Sequence, residues 1–262
     1  MRILITAIIP TYNEEENIRE AIESVGFADE VLLVDSLSTD KTVEIAIDLG
    51  ARVIQREYIN SASQKNWAIP QAKHKWIFLL DADEKASPAL QSEIVQILEK
   101  GNISERSFWI KRDNWFLGKR VRYSGWQRDK VVRLFHRDCR YEEKHVHAEI
   151  VTNGNAGKLK GTIIHNTAKT IMPYIRKWNR YSTWGALDRK EKGQRPGVWE
   201  FFVKPWFRFT QQYIFRLGIL DGWLGFIICS LDGAGVWMRY VKLWGMNRKE
   251  ELESSKTNSK IK

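Results

Sequence analysis

Three acids fall within four residues, Asp81, Asp83 and Glu84, directly after a run of mostly bulky apolar side chains in the stretch WIFLLDADEKASP. Two carboxylates separated by one alanine approach the same point as the chain leaves a strand, and they need a cation or a proton to stay close. Oxygen ligands with open coordination positions suit Mg2+ or Mn2+, which is held by few protein carboxylates and several phosphate oxygens. The chemistry this points to is a divalent ion holding a diphosphate. The plainer alternative is a solvated Asp81 and a loop that starts at Asp83 or Glu84 before Ser87 caps a helix, because an Asp-x-Asp triplet alone recurs by chance.

The elements around the triplet favour the first reading. ILITAIIP is a continuous apolar run stopped by Pro10, and NEEENIREAIESV offers Asn13 as N-cap with Ile18, Ala21, Ile22 and Val25 on one helical face. EVLLVD, ARVIQ and WIFLL read as further strands, separated by helices over TDKTVEIAIDL, SASQKNWAI and PALQSEIVQILEK, the last with Ser87 as N-cap, Pro88 at its first position and Gly101 past its end. Strands that are apolar throughout and alternate with helices form a mostly parallel sheet covered on both faces. Ligands of such sheets bind outside the carboxyl ends of the strands, which places PTYNEE, DSLSTD and DADE at one site.

From about residue 105 to 168 the pattern changes to short strand-like runs with many Arg and Lys, a second part that completes the sheet and walls the site. The expected organisation is therefore a catalytic domain over 1–168, split at 104/105, a helical region over 169–247 and a mobile polar tail over 248–262. Charge divides the same way, net −7 over residues 1–100 and +17 over 101–262. An acidic half suits a cation; a basic, aromatic half suits phosphate groups or acidic lipid. Two cysteines 90 residues apart give no disulfide framework. The best membrane candidate, LGILDGWLGFIICSLDGAGVWM, is interrupted by Asp221 and Asp232, which favours lying on a membrane over crossing one. The N-terminus lacks a cleavage signal, so the expected location is cytoplasmic, at the inner face of the cell membrane.

IIPTYNEEENI, VDSLSTDKT, QKNWA and FLLDADE together resemble the inverting family 2 glycosyltransferases, whose nucleotide-sugar domain is the α/β GT-A fold. The later RLFH, HVHAEI, GKLKGTIIH, KWNRYS and FRLGILDGWLG resemble the branch containing lipopolysaccharide inner-core glucosyltransferases. This resemblance implies that Pro10, Tyr12 and Glu14 cradle the nucleotide base, that Asp35 holds base or ribose, and that Lys65 and Asn66 lie beside the nucleotide. It implies that Asp81 meets the ribose, that Asp83 with Asp81 takes Mg2+ or Mn2+, and that a nucleoside diphosphate sugar is donor to a glycan or lipid-linked acceptor. Leu37 departs from the family's usual second loop without moving Asp35 or Asp40.

Inverting transfer needs a base for the acceptor hydroxyl. Relatives place an acid straight after Val-His, whereas here Val146 and His147 are followed by Ala148 and then Glu149. A one-residue shift in a strand turns a side chain to the other face, so Glu149, His147, Glu143 and Asp129 all stay candidates. Arg133 alternates with apolar neighbours and is expected to face the diphosphate. His136, Cys139, His145 and His147 lack the paired spacing of a zinc site. A nucleotidyltransferase would want a basic Gly-rich first loop, and PTYNEEEN is acidic. A non-catalytic lipid or RNA binder would leave the acidic loops without a role; no nucleic-acid partner is expected.

Overall fold

The computed structural model describes residues 2–142, 149–152 and 154–260. In chain order the elements are β1 (Ile5–Thr11), α1 (Ile18–Glu23), β2 (Glu30–Asp35), α2 (Thr42–Asp48), β3 (Arg52–Gln55), α3 (Ser61–Ala68), β4 (Trp76–Leu79), β5 (Glu84–Ala86) and α4 (Pro88–Lys100). There follow β6 (Ser107–Phe116), β7 (Lys119–Arg120), β8 (Lys130–His136), β9 (Arg140–Tyr141), β10 (Ile150–Val151), β11 (Ala156–Ala168), α5 (Ile171–Glu191), α6 (Lys204–Thr210) and α7 (Gly222–Lys260). The chain divides into two compact units, residues 1–114 with 128–166, and residues 115–127 with 167–262.

The first unit is α/β, as expected of a GT-A fold. Its sheet runs β3-β2-β1-β4-β8-β6-β11-β5. The first four strands are parallel; β8 pairs antiparallel with β4, and β6 antiparallel with β8. Alternation along β1 and β4 sends Ile5, Ala7, Ile9, Trp76 and Phe78 to one face, against α1 and α4, and Ile8, Ile77 and Leu79 to the other, against α3 and Phe135. Each of the Ile, Leu and Phe side chains contributes about 1.5–3 kcal/mol when fully buried. The parallel register pairs Thr11 with Asp35 and Ile8 with Leu79, so the loops after β1, β2 and β4 leave the sheet along one edge.

Local signals explain where helices begin. Ser87 Oγ accepts from Leu90 N (3.3 Å), Pro88 opens α4, and Gly101 closes it in the left-handed conformation. The expected cap at Asn13 is displaced: α1 starts only at Ile18, because Asn13 takes φ +52° and its Oδ1 accepts from Thr39 N (2.8 Å) on the neighbouring loop. A distant partner thus outweighs the local capping preference.

In the second unit, α5 and α6 both pack on α7. Asp221, one of the acids that interrupt the apolar stretch, accepts from the backbone of Arg122 (3.0 Å) and Tyr123 (2.9 Å). Asp232, the other, accepts from Gln212 (3.1 Å) and Arg208 (3.4 Å) on the helices beside it. By length and composition Gly218–Glu253 is apolar enough to cross a membrane. Large apolar residues stay exposed here, among them Trp223 (82%) and Trp206 (71%). The segment after residue 247, expected to be a polar tail, continues α7 to Lys260.

Candidate active site

The first two loops are knitted to each other. Asn13 N donates to Ser38 Oγ (2.8 Å), Glu15 N to Asp40 Oδ2 (3.2 Å) and Lys41 N to Glu15 Oε2 (3.1 Å). Asp35, fully buried at the end of β2, accepts from Ser38 N (3.0 Å), Ser38 Oγ (2.5 Å) and Gln55 Nε2 (2.9 Å), so its carboxylate shapes the turn that follows. Pro10 is half-buried near the end of β1, and Tyr12 is exposed just after that strand. Glu14 accepts from Asn17 Nδ2 (2.7 Å) and its backbone N donates to Thr42 Oγ1 (2.8 Å).

The three acids of the knot take three different roles. Glu84 is fully buried; its carboxylate accepts from Asp81 N (3.0 Å), Arg112 Nε (2.7 Å) and Arg133 Nη2 (2.9 Å). It is the anchor that folds the triplet back on itself. Asp81 lies against Arg133, and its Oδ1 is 3.2 Å from Lys65 Nζ and its Oδ2 3.6 Å from Arg112. Burial opposes ionisation of Asp81, but the charges of Arg133, Lys65 and Arg112 overturn it and hold the carboxyl well below the usual carboxylate range. Arg133 and Arg112 are in turn pushed up: burial disfavours both charges, but Asp81 and Glu84 outweigh it for Arg133, and Glu84 foremost for Arg112.

A lowered folded value means that Asp81 contributes stability that is complete above its unfolded pKa, about 3.9, and is lost as the pH falls through the folded one. Asp81→Asn is expected to destabilise the protein by about 1–3 kcal/mol near neutrality. The gap to the wild type closes only below that unfolded value. Urea unfolding across the acid range measures it, and a gap that does not depend on pH would show that charge is not its cause.

Asp83 turns the other way. Its Oδ2 is 3.6 Å from His165 Nε2, at the strand position where β11 pairs with β5. His165 Nδ1 meets Asn114 Oδ1 (2.7 Å), and Asn114 Nδ2 donates to Asp129 Oδ2 (3.1 Å). With the amide nitrogen of Asn114 committed to Asp129, its oxygen is the acceptor, so His165 carries a proton on Nδ1 and directs Nε2 at Asp83. A ring nitrogen and a carboxylate oxygen facing each other at this separation call for a proton or a cation between them. Those two groups fit a divalent metal whose other positions are filled by phosphate oxygens and water. Among the described residues no cluster of three or more His, Cys, Asp or Glu forms a complete metal cage.

The remaining candidates scatter. Lys65 is buried, 5.3 Å from the Tyr141 ring centroid, and faces Asp81; Asn66 clamps the backbone of Tyr141 in both directions (2.9 and 2.8 Å). Asp129 is held by Asn114 and lies 3.7 Å from Arg112 Nη1. Glu149 is exposed just before β10, and its carbonyl accepts from Glu142 N (2.9 Å). His147, Glu143 and His145 lie outside the described residues. Of the other two groups weighed for zinc, His136 pairs with Asp138 (3.0 Å) and Cys139 is buried. Arg112, Asn114 and His165 were not singled out from sequence. Arg112 and Asn114 are two apart in WIKRDNW, the spacing of one strand face, and His165 ends the apolar run GTII.

Residues 6–180 match the model of glycosyl transferase family 2, and the chain belongs to that family. It is a glycosyltransferase. It is 31% identical over 242 residues to the lipopolysaccharide core biosynthesis glycosyltransferase LpsC of Rhizobium meliloti, covering 89% of this chain and 88% of that protein. It is 29% identical over 251 residues to a glycosyltransferase of Rickettsia typhi, covering 91% and 86%. Among solved structures, glucosyl-3-phosphoglycerate synthase from Mycobacterium tuberculosis in complex with Mn2+, UDP and glucosyl-3-phosphoglycerate aligns over 44% of this chain and 44% of that one, at 22% identity and TM-score 0.34.

Proposed function

We propose that the protein transfers a sugar, with inversion, from a nucleoside diphosphate donor to a saccharide of a cell-envelope glycolipid such as the lipopolysaccharide core. The observation that carries the donor half is the division of the acidic knot: Asp83 and His165 face each other, while Lys65, Arg112 and Arg133 gather beside Asp81. The likeness to LpsC over most of both chains supports the acceptor class.

Asp83 and His165 would hold Mg2+ or Mn2+. When bound, the ion neutralises charge that collects on the leaving diphosphate. Lys65 and the two arginines supply further cationic donors to the same phosphates, exchanging Asp81 for them, and Arg133 is held in place by the buried carboxylate of Glu84. The acceptor oxygen bonds to the anomeric carbon as the bond from that carbon to the diphosphate breaks, and the hydroxyl proton passes to a carboxylate. We assign that role to Glu149, which is exposed, whereas Asp129 is occupied by Asn114 and Arg112.

The membrane contact is assigned to the helical unit. Asp232, Arg239 and Lys242 of α7 face α5 or α6, whereas Trp223, Phe226, Ile227 and Trp237 stay exposed. Trp beside cations suits the headgroup zone of a bilayer.

Calorimetric titration of a panel of nucleoside diphosphates, with and without Mn2+, tests the reading. One nucleotide is expected to bind in a metal-dependent way, Asp83→Asn to lose that binding, and Glu149→Gln to keep it while losing at least about 100-fold in transfer. Absence of binding by every nucleotide would overturn the donor site; full transfer by Glu149→Gln would remove it as the base.

A further inference from the structure

We propose that the helical unit binds a phosphate group between Arg189 of α5 and Arg239 of α7, a second anion site separate from the donor site. The two helices meet through small residues, and the Arg239 side chain runs across Gly185, where an added Cβ would lie 2.6 Å from Nε and 2.9 Å from Cδ. A side chain at 185 would push the arginine out of that passage. The Nε of Arg239 is buried and has no hydrogen-bond acceptor among the described residues.

Arg189 lies one turn beyond Gly185. Its Nη1 donates to the Gly185 carbonyl (2.7 Å) and its Cζ is 5.4 Å from the ring centroid of the buried Tyr240. Lys204 of α6 also approaches that ring, 5.3 Å from the centroid and 3.2 Å from the phenol oxygen. The neighbouring charges sort themselves unevenly. Lys204 pairs with Glu200 (3.0 Å) and Arg208 with Asp232 (3.4 Å), but among the described residues Arg189 and Arg239 have no carboxylate within ion-pair distance. The attraction that Arg239 does feel comes from the Tyr240 phenol, which also bonds Arg189, and after it from Asp188, and neither satisfies its Nε. Burial first, then the charge of Arg189, pushes the Arg239 guanidinium below its ordinary value, which is the direction a missing counter-ion produces.

Two guanidinium groups on facing helices, close enough for the charge of one to act on the other and neither paired with a carboxylate among the described residues, suit the oxygens of a phosphate, because each fork can bond two oxygens in one plane. The phosphate could belong to a lipid headgroup or be free in solution, and the two sources separate by experiment. In buffers of matched ionic strength, inorganic phosphate at ten times its Kd is expected to raise the wild-type Tm by about 3 °C. Arg239→Gln and Arg189→Gln should each lose that rise. Without phosphate, Arg239→Gln should be as stable as the wild type or more so, since it removes a like charge from a half-buried place. Sedimentation with phosphatidylcholine vesicles, with and without phosphatidic acid, names the source: a phosphatidic-acid preference lost in both variants means a lipid headgroup, and an unchanged preference alongside a lost Tm rise means a free phosphate. If phosphate leaves the wild-type Tm unmoved and both variants sediment as the wild type does, the site does not exist. Nucleotide titration of Arg239→Gln is expected to match the wild type, so failure here stays distinct from failure of the donor site.

Discussion

Glu84→Gln is expected to destabilise the protein by about 3–5 kcal/mol, the cost of stripping one partner from a buried ion pair. The carboxylate is fully buried and serves two guanidinium groups at once, Arg133 with a 3%-exposed side chain and Arg112 with an 18%-exposed one. The amide of Gln preserves volume and one acceptor, so packing is kept and the loss is electrostatic. Asp81 shares the same two arginines and limits the damage, but it is itself partly exposed and already serves Lys65. Urea unfolding of the wild type, Glu84→Gln, Arg133→Met and the double variant measures the coupling. Replacing both partners should cost less than adding the single losses, because no buried charge is then left alone. A Glu84→Gln protein within about 1 kcal/mol of the wild type would show that Asp81 alone neutralises the pair.

The fold was largely legible because its signals are local. An apolar run such as ITAIIP points to a strand covered on both faces, the usual condition of a parallel sheet, and Ser87, Pro88 and Gly101 carry their capping geometry in their own chemistry. The start of α1 was not, because the partner of Asn13 is Thr39, 26 residues away. The same distance rule governs the site. The positions of Asp81 and Asp83 at a strand end follow from the pattern before them, but which acid faces cations and which faces a ring nitrogen depends on Arg112, Arg133 and His165, brought in by later strands. Glu84 read as the start of a loop, and only the arrival of two arginines makes it a buried anchor. Asn66, by contrast, was read beside the nucleotide, and its amide is spent on the backbone of Tyr141, 75 residues on.

His165→Ala is expected to weaken Mn2+-dependent nucleotide binding and lower turnover by about 100-fold or more, and Asn114→Leu by about 10- to 100-fold, a first partner and the group behind it. The grading follows from the chain of contacts. Asp129 fixes the amide of Asn114, Asn114 fixes the proton on His165 Nδ1, and the opposite nitrogen is thereby kept facing Asp83. Asp129→Asn belongs to the same series, because it lets the Asn114 amide turn over, offer its NH2 to the ring and reverse the tautomer. A nitrogen-15 spectrum of the imidazole reads that reversal directly, apart from activity. If Asn114→Leu and Asp129→Asn leave the tautomer and the Mn2+ affinity unchanged, Asn114 and Asp129 do not position His165. If His165→Ala binds metal as the wild type does while Asp83→Asn does not, the ion is held by Asp83 with other groups. A shared fall in metal affinity, steepest for His165→Ala, is what two facing ligands held by a hydrogen-bonded relay require.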